Sequence, residues 1–209
     1  ERAGYTVVGF DINTERISSI KKKDVDFLAH DEHADLTKSS MDVGTRESIL
    51  KNADIFIICV PTPVDETHVP DLDPLREASR AVGAYLKEDG LVIIESTVNP
   101  RVCRTIALPI LEEVSGLRGE ADFGFAHCPE RINPGDPEYG VKNIPRVMGA
   151  LGPSSLQNAL EIYRSILKAE ITPMDSLEEA EAVKMVENAF RDINIAFVNE
   201  LAMSFGKAG

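Results

Sequence analysis

The segment ADIFIICVPTPVDE, residues 53–66, decides the fold prediction because it has the pattern of a buried strand with an abrupt end. Residues 55–60 are all apolar, which is typical of a strand covered on both faces of a sheet. Pro61 and Pro63 end this strand, since proline has no N–H group to donate to a strand ladder. A helical pattern follows at residues 73–87, so the segment predicts a strand–loop–helix unit.

The same alternation of strand and helix continues on both sides of this unit. Further strands are predicted at residues 5–10, 91–95, 123–128, 145–150 and 169–173. Helices are predicted at residues 13–20, 31–40, 46–52, 100–114, 153–167 and 176–207. This alternation predicts an α/β protein with a parallel sheet and helices on both faces. The last helix opens on a capping box and is unusually long, so we place a first domain at residues 1–173 and the start of a second at 174–209.

Composition argues against several classes of partner. A net charge of -13 is unfavourable for sequence-independent nucleic-acid binding, which needs clustered Lys and Arg. No apolar run has the length of a membrane span, so no membrane partner is expected. Cys59, Cys103 and Cys128 show neither metal-ligand spacing nor close pairing. This cysteine pattern is typical of a reducing compartment and predicts a cytoplasmic protein without a metal site.

Asp11 follows the strand predicted at residues 5–10 and is the first candidate for cofactor binding. In a dinucleotide-binding unit, a glycine-rich loop follows the first strand, and the second strand ends in an acidic residue that binds the adenosine ribose. The sequence has no G-x-G-x-x-G motif, and residues 1–4 resemble the end of a helix, so we expect it to begin after that loop. Taken alone, an Asp at a strand end more often has a turn or helix-capping role. Arg16 either approaches the phosphates or adenine of a cofactor or lies on a solvated helix face.

Five segments, in order, resemble the UDP-glucose and GDP-mannose dehydrogenase family. They are DIN at 11–13, ADIFIICVPTPVDE at 53–66, IIESTVNP at 93–100, CPERINPG at 128–135 and VKMVENAFRDINIAFVNELA at 183–202. The resemblance covers essentially the whole chain and is nearest to the branch acting on UDP-N-acetylhexosamines, such as UDP-N-acetyl-D-mannosamine dehydrogenase. It implies a doubly wound Rossmann-type sheet without its first strand and glycine loop, followed by a long central helix. It also implies NAD as cofactor and oxidation of a sugar 6-hydroxyl to a carboxylate in two hydride transfers.

The resemblance also implies roles for particular residues. Those expected to bind the cofactor are Asp11, Arg16, Val60, Pro61, Thr62 and Thr97. Those expected to act in catalysis are Thr97, Glu130, Lys184 and Asn188. Those expected to bind substrate are Glu130, Arg131, Ile132, Asn133, Lys184, Asn188 and Arg191. Without the resemblance, Thr97 has the pattern of a helix cap, Glu130 that of a surface ion-pair residue, and Lys184 that of a solvated helix face.

The sequence lacks a group that the family's reaction requires. The family's nucleophilic cysteine belongs to a G-x-C-x-x-x-D segment that this sequence does not contain, so we expect the chain alone to be inactive. The alternative substrates are UDP-N-acetylglucosamine, UDP-glucose and GDP-mannose. A different alternative is a non-catalytic dimerisation module. In either case we expect a homodimer formed through the long helix, with a seam at Phe190, Ile193, Phe197 and Leu201.

Overall fold

The structure is a computed structural model that describes residues 1–25, 30–131 and 143–208. Its strands are β1 (Val8–Phe10), β2 (Asp42–Gly44), β3 (Ile55–Ile58), β4 (Leu91–Ile94), β5 (Gly124–His127), β6 (Arg146–Ala150) and β7 (Ile171–Pro173). Its α-helices are α1 (Thr14–Lys22), α2 (His30–Lys38), α3 (Asp73–Gly83), α4 (Leu108–Ser115), α5 (Pro153–Ile166) and α6 (Leu177–Ala208). A short 3₁₀ helix covers Glu47–Asn52, and a π-helical turn, Cys103–Ala107, leads directly into α4.

The strands form two sheets. β1 and β2 pair in parallel, and a second sheet has the order β3-β4-β5-β6-β7. The pairs of the larger sheet are parallel except β5 with β6, which is antiparallel. The predicted α/β class is confirmed, whereas β2 and the antiparallel pair were not predicted. Among the described residues, β1 pairs only with β2, and β3 pairs only with β4.

The helix caps predicted from the sequence at the starts of α1 and α6 are present in the structure. The side chain of Asn13 accepts hydrogen bonds from the backbone N–H groups of Glu15 and Arg16, at 2.9 and 3.0 Å, and thereby starts α1. At the start of α6, the Ser176 hydroxyl accepts from Glu179 N at 3.2 Å. The Glu179 carboxylate in turn accepts from the backbone N–H of Asp175 at 2.9 Å, one residue earlier than in the usual capping box.

A glycine sets where the long helix crosses the sheet. A Cβ atom at Gly149, in β6, would lie 2.1 Å from the carbonyl oxygen of Ser176, so only glycine permits this approach. Leu177 and Ala180, in the first turn of α6, are fully buried. The helix therefore begins packed against β6 and β5, and its later turns extend away from the sheet. In the ranges that the structure describes, no helix is both long and apolar enough to cross a membrane.

The larger sheet is covered on both faces, as the apolar strands predict. Val92, Ile94 and Phe125 point into a core shared with α3 and α4. Leu91 and Ile93 point the opposite way, into a second core formed mainly with α5. Because successive residues of a strand alternate between faces, β4 and β5 supply buried side chains to both cores, which is why neither strand carries a polar face.

His127, the last residue of β5, is a polar side chain inside the first core. It is fully buried, and neither ring nitrogen has a hydrogen bond of normal geometry among the described residues. Burial lowers the pKa of His127 to about 4, and the backbone of Ile94 offsets only part of this effect. The ring is therefore neutral in the folded protein at neutral pH.

We expect His127 to make the protein acid-sensitive. Between pH 6.5 and about 4 the unfolded chain binds a proton that the folded chain does not, so the free energy of unfolding falls as pH drops through this window. The full loss corresponds to about 3 kcal/mol at about 1.4 kcal/mol for each pH unit. Urea unfolding at several pH values measures it, with His127→Leu as the comparison. If the His127→Leu variant loses as much stability at pH 4.5 as the parent protein, His127 is not the cause.

Candidate active site

Three loops leave the larger sheet at the carboxyl ends of β3, β4 and β5. We call this end of the sheet the loop edge. Ile58, Ile94 and His127, the last residues of β3, β4 and β5, lie side by side in the strand register. Because β6 runs antiparallel to β5, its first residue, Arg146, returns to the same edge. In open α/β sheets, ligands bind at the carboxyl ends of the parallel strands, so this edge is the candidate site.

Hydrogen bonds join the first two loops. The Thr62 hydroxyl donates to the carbonyl oxygen of Thr97 at 2.7 Å. The Ser96 hydroxyl donates in the opposite direction, to the carbonyl oxygen of Val60, also at 2.7 Å. The predicted cofactor-binding loop, which includes exposed Pro61, and the predicted catalytic loop around Thr97 are thus one connected unit. Ser96, which sequence reasoning did not single out, makes one of the two links.

The third loop brings Glu130 to the same edge. The backbone N–H of Glu130 donates to the carbonyl oxygen of Glu95 at 3.2 Å, which extends the pairing of β5 with β4. Lys184 of α6 is half-buried, and burial lowers its pKa. The negative charge of Glu130 has the largest opposing effect on that pKa, which means that the ammonium lies within electrostatic reach of this carboxylate. The structure therefore places Glu130 and Lys184, two of the four predicted catalytic residues, close enough for their charges to interact.

The remaining predicted residues of α6 lie further along the helix. Asn188 is exposed one turn after Lys184, and its side-chain oxygen accepts a hydrogen bond from Arg191 at 3.3 Å. Lys184, Asn188 and Arg191 thus share one face of the helix, as their spacing predicts. Their roles toward a substrate remain predictions.

Arg131 braces the third loop against the long helix. Its guanidinium donates to the carbonyl oxygen of Pro145 at 2.9 Å and forms an ion pair with Glu187 of α6. These contacts give Arg131 a structural task in addition to the predicted contact with substrate, which stays a prediction. Ile132 and Asn133, the other predicted substrate-binding residues of this loop, lie outside the described residues.

Asp11 directly follows β1 of the smaller sheet, and Arg16 lies in α1. The Asp11 carboxylate accepts a hydrogen bond from Asn13 N at 2.8 Å and pairs with Arg16 at 3.4 Å. Asp11 has thus both the turn role that its sequence context allowed and the position at a strand end that ribose binding requires. Arg16 is paired with Asp11, at an exposed position, in the structure.

A buried polar cluster beneath the three loops was missed by sequence reasoning. The Arg146 guanidinium pairs with the Glu95 carboxylate at 2.9 Å, with side chains only 3% and 15% exposed. The Tyr163 hydroxyl, from α5, donates to the same carboxylate, and Arg146 also lies over the Tyr163 ring at 5.9 Å. The sequence did contain a signal for this cluster: Glu95 directly follows the apolar strand β4, and Arg146 begins the otherwise apolar strand β6. We refer to Glu95, Arg146 and Tyr163 as the Glu95 cluster.

None of the three cysteines has the environment of an activated thiolate. Cys59 keeps exposed surface, but desolvation by its surroundings, followed by the charge of Glu95 at 3.8 Å from the sulfur, raises its pKa to about 12. Burial also raises the pKa of Cys128 to about 12 and that of Cys103 well above its usual range. These thiols stay protonated at neutral pH, in agreement with the sequence interpretation that none is the nucleophile. No group of three or more His, Cys, Asp or Glu side chains within residues 1–25, 30–131 and 143–208 could hold a metal ion.

Side chains at this edge, together with Asp11 at the end of β1 in the smaller sheet, fit part of a dinucleotide. A carboxylate stands at the end of β1, as the ribose hydroxyls of NAD require. Hydroxyl groups of Thr62 and Ser96 order the neighbouring loops, where a flat cofactor can lie against exposed Pro61. The glycine-rich loop that would hold the pyrophosphate is not among the 209 residues. Asp11, Pro61 and the two joined loops thus fit the adenosine and ribose parts of the cofactor.

Comparison with known families explains this combination of features. The family model named UDP-glucose/GDP-mannose dehydrogenase family, NAD binding domain, matches residues 1–167. This chain belongs to the UDP-glucose/GDP-mannose dehydrogenase family. The model for the family's central domain matches residues 178–209, which include α6 from its second residue onward. The predicted family and the predicted cofactor, NAD, are confirmed, while the boundary placed at residue 173 remains a prediction.

Individual relatives agree with this membership. Over 205 residues the chain is 41% identical to a UDP-N-acetyl-D-glucosamine 6-dehydrogenase of Pseudomonas aeruginosa, covering 98% of this chain and 48% of that protein. It matches a structure of UDP-D-ManNAc dehydrogenase from Pyrococcus horikoshii with a TM-score of 0.89 and 36% identity, over 97% of this chain and 49% of that one. It also matches a ternary complex of GDP-mannose dehydrogenase from Pseudomonas aeruginosa, with a TM-score of 0.87 and 25% identity, over 95% and 47%. The chain spans about half the length of the curated relatives it matches.

Proposed function

We propose that this chain forms the NAD-binding part of a nucleotide-sugar 6-dehydrogenase that oxidises the sugar 6-hydroxyl to a carboxylate. One observation carries the proposal: α6 holds Lys184 within electrostatic reach of Glu130, whose backbone is bonded to the end of β4, next to the joined loops that contain Thr62 and Thr97. A cation and a carboxylate next to a cofactor-binding edge are the groups needed to stabilise an oxyanion and to activate water. Membership of the UDP-glucose/GDP-mannose dehydrogenase family supports the same function.

Each of these residues has a proposed task. The Thr97 hydroxyl positions the reacting sugar or an ordered water. The Glu130 carboxylate acts as a general base through water when the oxidised sugar is released. Lys184, with Asn188 one turn further along α6, stabilises negative charge that develops on the sugar oxygen. NAD, when bound, supplies the hydride acceptor.

The proposed substrate is a UDP-N-acetylhexosamine, with UDP-N-acetyl-D-mannosamine as the first choice. The CPERINPG loop and ENAFRD on α6 support this branch. A structural relative at 36% identity is a UDP-D-ManNAc dehydrogenase. UDP-N-acetyl-D-glucosamine is the second candidate, because a relative at 41% identity carries that name.

Assays of the complete protein with four nucleotide sugars test both the proposed enzyme class and the proposed substrate class. With NAD present, we expect NADH release from UDP-N-acetyl-D-mannosamine or UDP-N-acetyl-D-glucosamine at a kcat/KM about 100-fold above that for UDP-glucose and GDP-mannose. A preference for either of the last two sugars would contradict the substrate class. No NADH from any of the four would contradict the enzyme class and favour the non-catalytic dimerisation module.

We further propose that the complete protein is a homodimer whose seam is the exposed apolar stripe of α6. Phe190, Ile193 and Phe197 are 70%, 66% and 61% exposed, an unusual exposure for large apolar side chains at helical spacing. Leu201 continues the stripe and is 38% exposed. Burying such a stripe against a second copy removes it from water on both helices.

The double variant Phe190→Glu/Phe197→Glu tests this seam. Charge at two positions of the same helix face, two turns apart in the proposed dimer core, should raise the dissociation constant at least about 100-fold, since core positions dominate interface energy. Light scattering across a concentration series measures the effect. Asn199→Glu, on the opposite face of α6, serves as the control and should leave the mass unchanged. An unchanged mass in the double variant would place the interface elsewhere.

A further inference from the structure

Glu181 is a buried carboxylate for which neither the family match nor the sequence analysis gives a role. It lies in the second turn of α6 and has no exposed surface. Its two oxygens accept hydrogen bonds from the backbone N–H groups of Arg101 and Cys103, at 2.5 and 2.8 Å. Burial raises its pKa, and the two N–H donors counteract that effect. One side chain of α6 thus satisfies two backbone donors at the end of the loop that follows β4.

The backbone that Glu181 holds has a conformation that costs free energy. Arg101 has a φ of 79°, in the left-handed region that residues other than glycine rarely adopt. Such a residue persists only where its surroundings hold it in place. Arg101 comes four residues after Thr97, so its conformation sets where the loop carrying Thr97 enters the π-helical turn and α4.

The same side chain is close to the proposed catalytic residues of α6. Glu181 and Lys184 are three residues apart and therefore neighbours on the helix surface. The distance from Lys184 to the Thr97 loop thus depends on where Glu181 meets Arg101 and Cys103. A second link between these elements, the ion pair of Arg104 with Glu178, is partly exposed, with side chains 40% and 28% accessible. An exposed ion pair holds geometry less strictly than a buried, doubly bonded carboxylate.

We propose that Glu181 is a positioning residue that holds the Thr97 loop and the Lys184 face of α6 at the spacing the reaction needs. This inference rests on the proposed function. Its role differs from general stabilisation because it acts on the relative placement of two groups that contact the reacting sugar. Misplacement by about 1 Å can cost about 100-fold in rate, even when binding survives.

The Glu181→Gln variant of the complete protein tests the inference. The amide keeps the shape but offers one oxygen to two N–H donors, so its NH2 group meets a donor. We expect kcat per folded enzyme to fall about 10- to 100-fold, whereas KM for NAD should change much less than kcat, because Asp11 and Arg16 of the proposed cofactor site lie outside the loop that Glu181 holds. Glu181→Asp, which keeps the charge but shortens the reach, is the milder variant. It should lower kcat several-fold, and it decides the question if the amide variant does not fold.

Glu120→Gln is the matched control. Glu120 also accepts two backbone N–H groups at a helix start, from Ser154 and Ser155 at 3.0 and 3.4 Å, but on the opposite edge of the sheet. The same chemical change there should lower the melting temperature while kcat stays within about twofold. Equal falls in kcat in the Glu181→Gln and Glu120→Gln variants, or an unchanged kcat in both Glu181 variants, would overturn the positioning role. A parent protein that releases no NADH would instead remove the proposed function, and this inference with it.

Discussion

Replacing Lys184 with methionine should lower kcat of the complete protein by about 100- to 1000-fold. Methionine keeps most of the length of the side chain but removes the cation that lies within reach of Glu130. Loss of one preorganised donor to a developing oxyanion has an effect of this size. Because Lys184 is only half-buried, its removal leaves no unpaired donor in the core, and the fold should survive. Initial rates of NADH formation at saturating NAD and sugar measure the change.

The control for this substitution lies on the same helix. Lys207→Met changes the same side chain in the last turn of α6, about 35 Å further along at 1.5 Å for each residue. It should leave kcat within about twofold. If Lys184→Met retains more than a tenth of the parent kcat, or if Lys207→Met loses as much activity, Lys184 does not have the catalytic role proposed here.

Replacing Arg146 with methionine should lower the free energy of unfolding by about 3–5 kcal/mol, since a buried carboxylate then loses its partner. Glu95 is only 15% exposed, and its remaining hydrogen bond from Tyr163 cannot neutralise its charge. The substitution should also disturb the candidate active site, because the carbonyl oxygen of Glu95 accepts the hydrogen bond from the backbone N–H of Glu130. Urea unfolding measures the stability change.

A double variant separates the loss of the pair from the loss of either side chain. Glu95→Met/Arg146→Met leaves no buried charge in the Glu95 cluster, so it should regain most of the stability that Arg146→Met loses. The difference between the sum of the single effects and the double effect gives the coupling free energy. Independent, additive effects would contradict the buried pair, as would a loss below about 1 kcal/mol for Arg146→Met.

The features of the fold that follow from local pattern were predictable from the sequence. The six predicted strands are all present, although each is shorter than expected because the pattern does not mark where pairing stops. Strand ends followed by Pro61 or Pro129 correctly placed the loops that carry Thr62 and Glu130. The single strand that was missed, β2, has three residues and buries only Val43, too little for a periodic signal.

The Glu95 cluster could not be predicted from local pattern. Its members come from β4, β6 and α5, and they meet only because β6 runs antiparallel to β5 and returns to the loop edge. Periodicity in a sequence gives a strand but not its direction. The brace from Arg131 to Glu187 and the contact of Glu181 with the loop after β4 depend likewise on where α6 crosses the sheet. That crossing is set by the close approach at Gly149.

The most direct test of the central claim is the ratio of NADH formed to nucleotide sugar consumed by the complete protein. Oxidation of a 6-hydroxyl to a carboxylate removes four electrons, and each NAD accepts two of them as hydride. With UDP-N-acetyl-D-mannosamine or UDP-N-acetyl-D-glucosamine as the limiting reagent, we therefore expect about two NADH for each sugar, together with an acidic product. A ratio of about one with an aldehyde product, or no NADH at all, would contradict the proposed function.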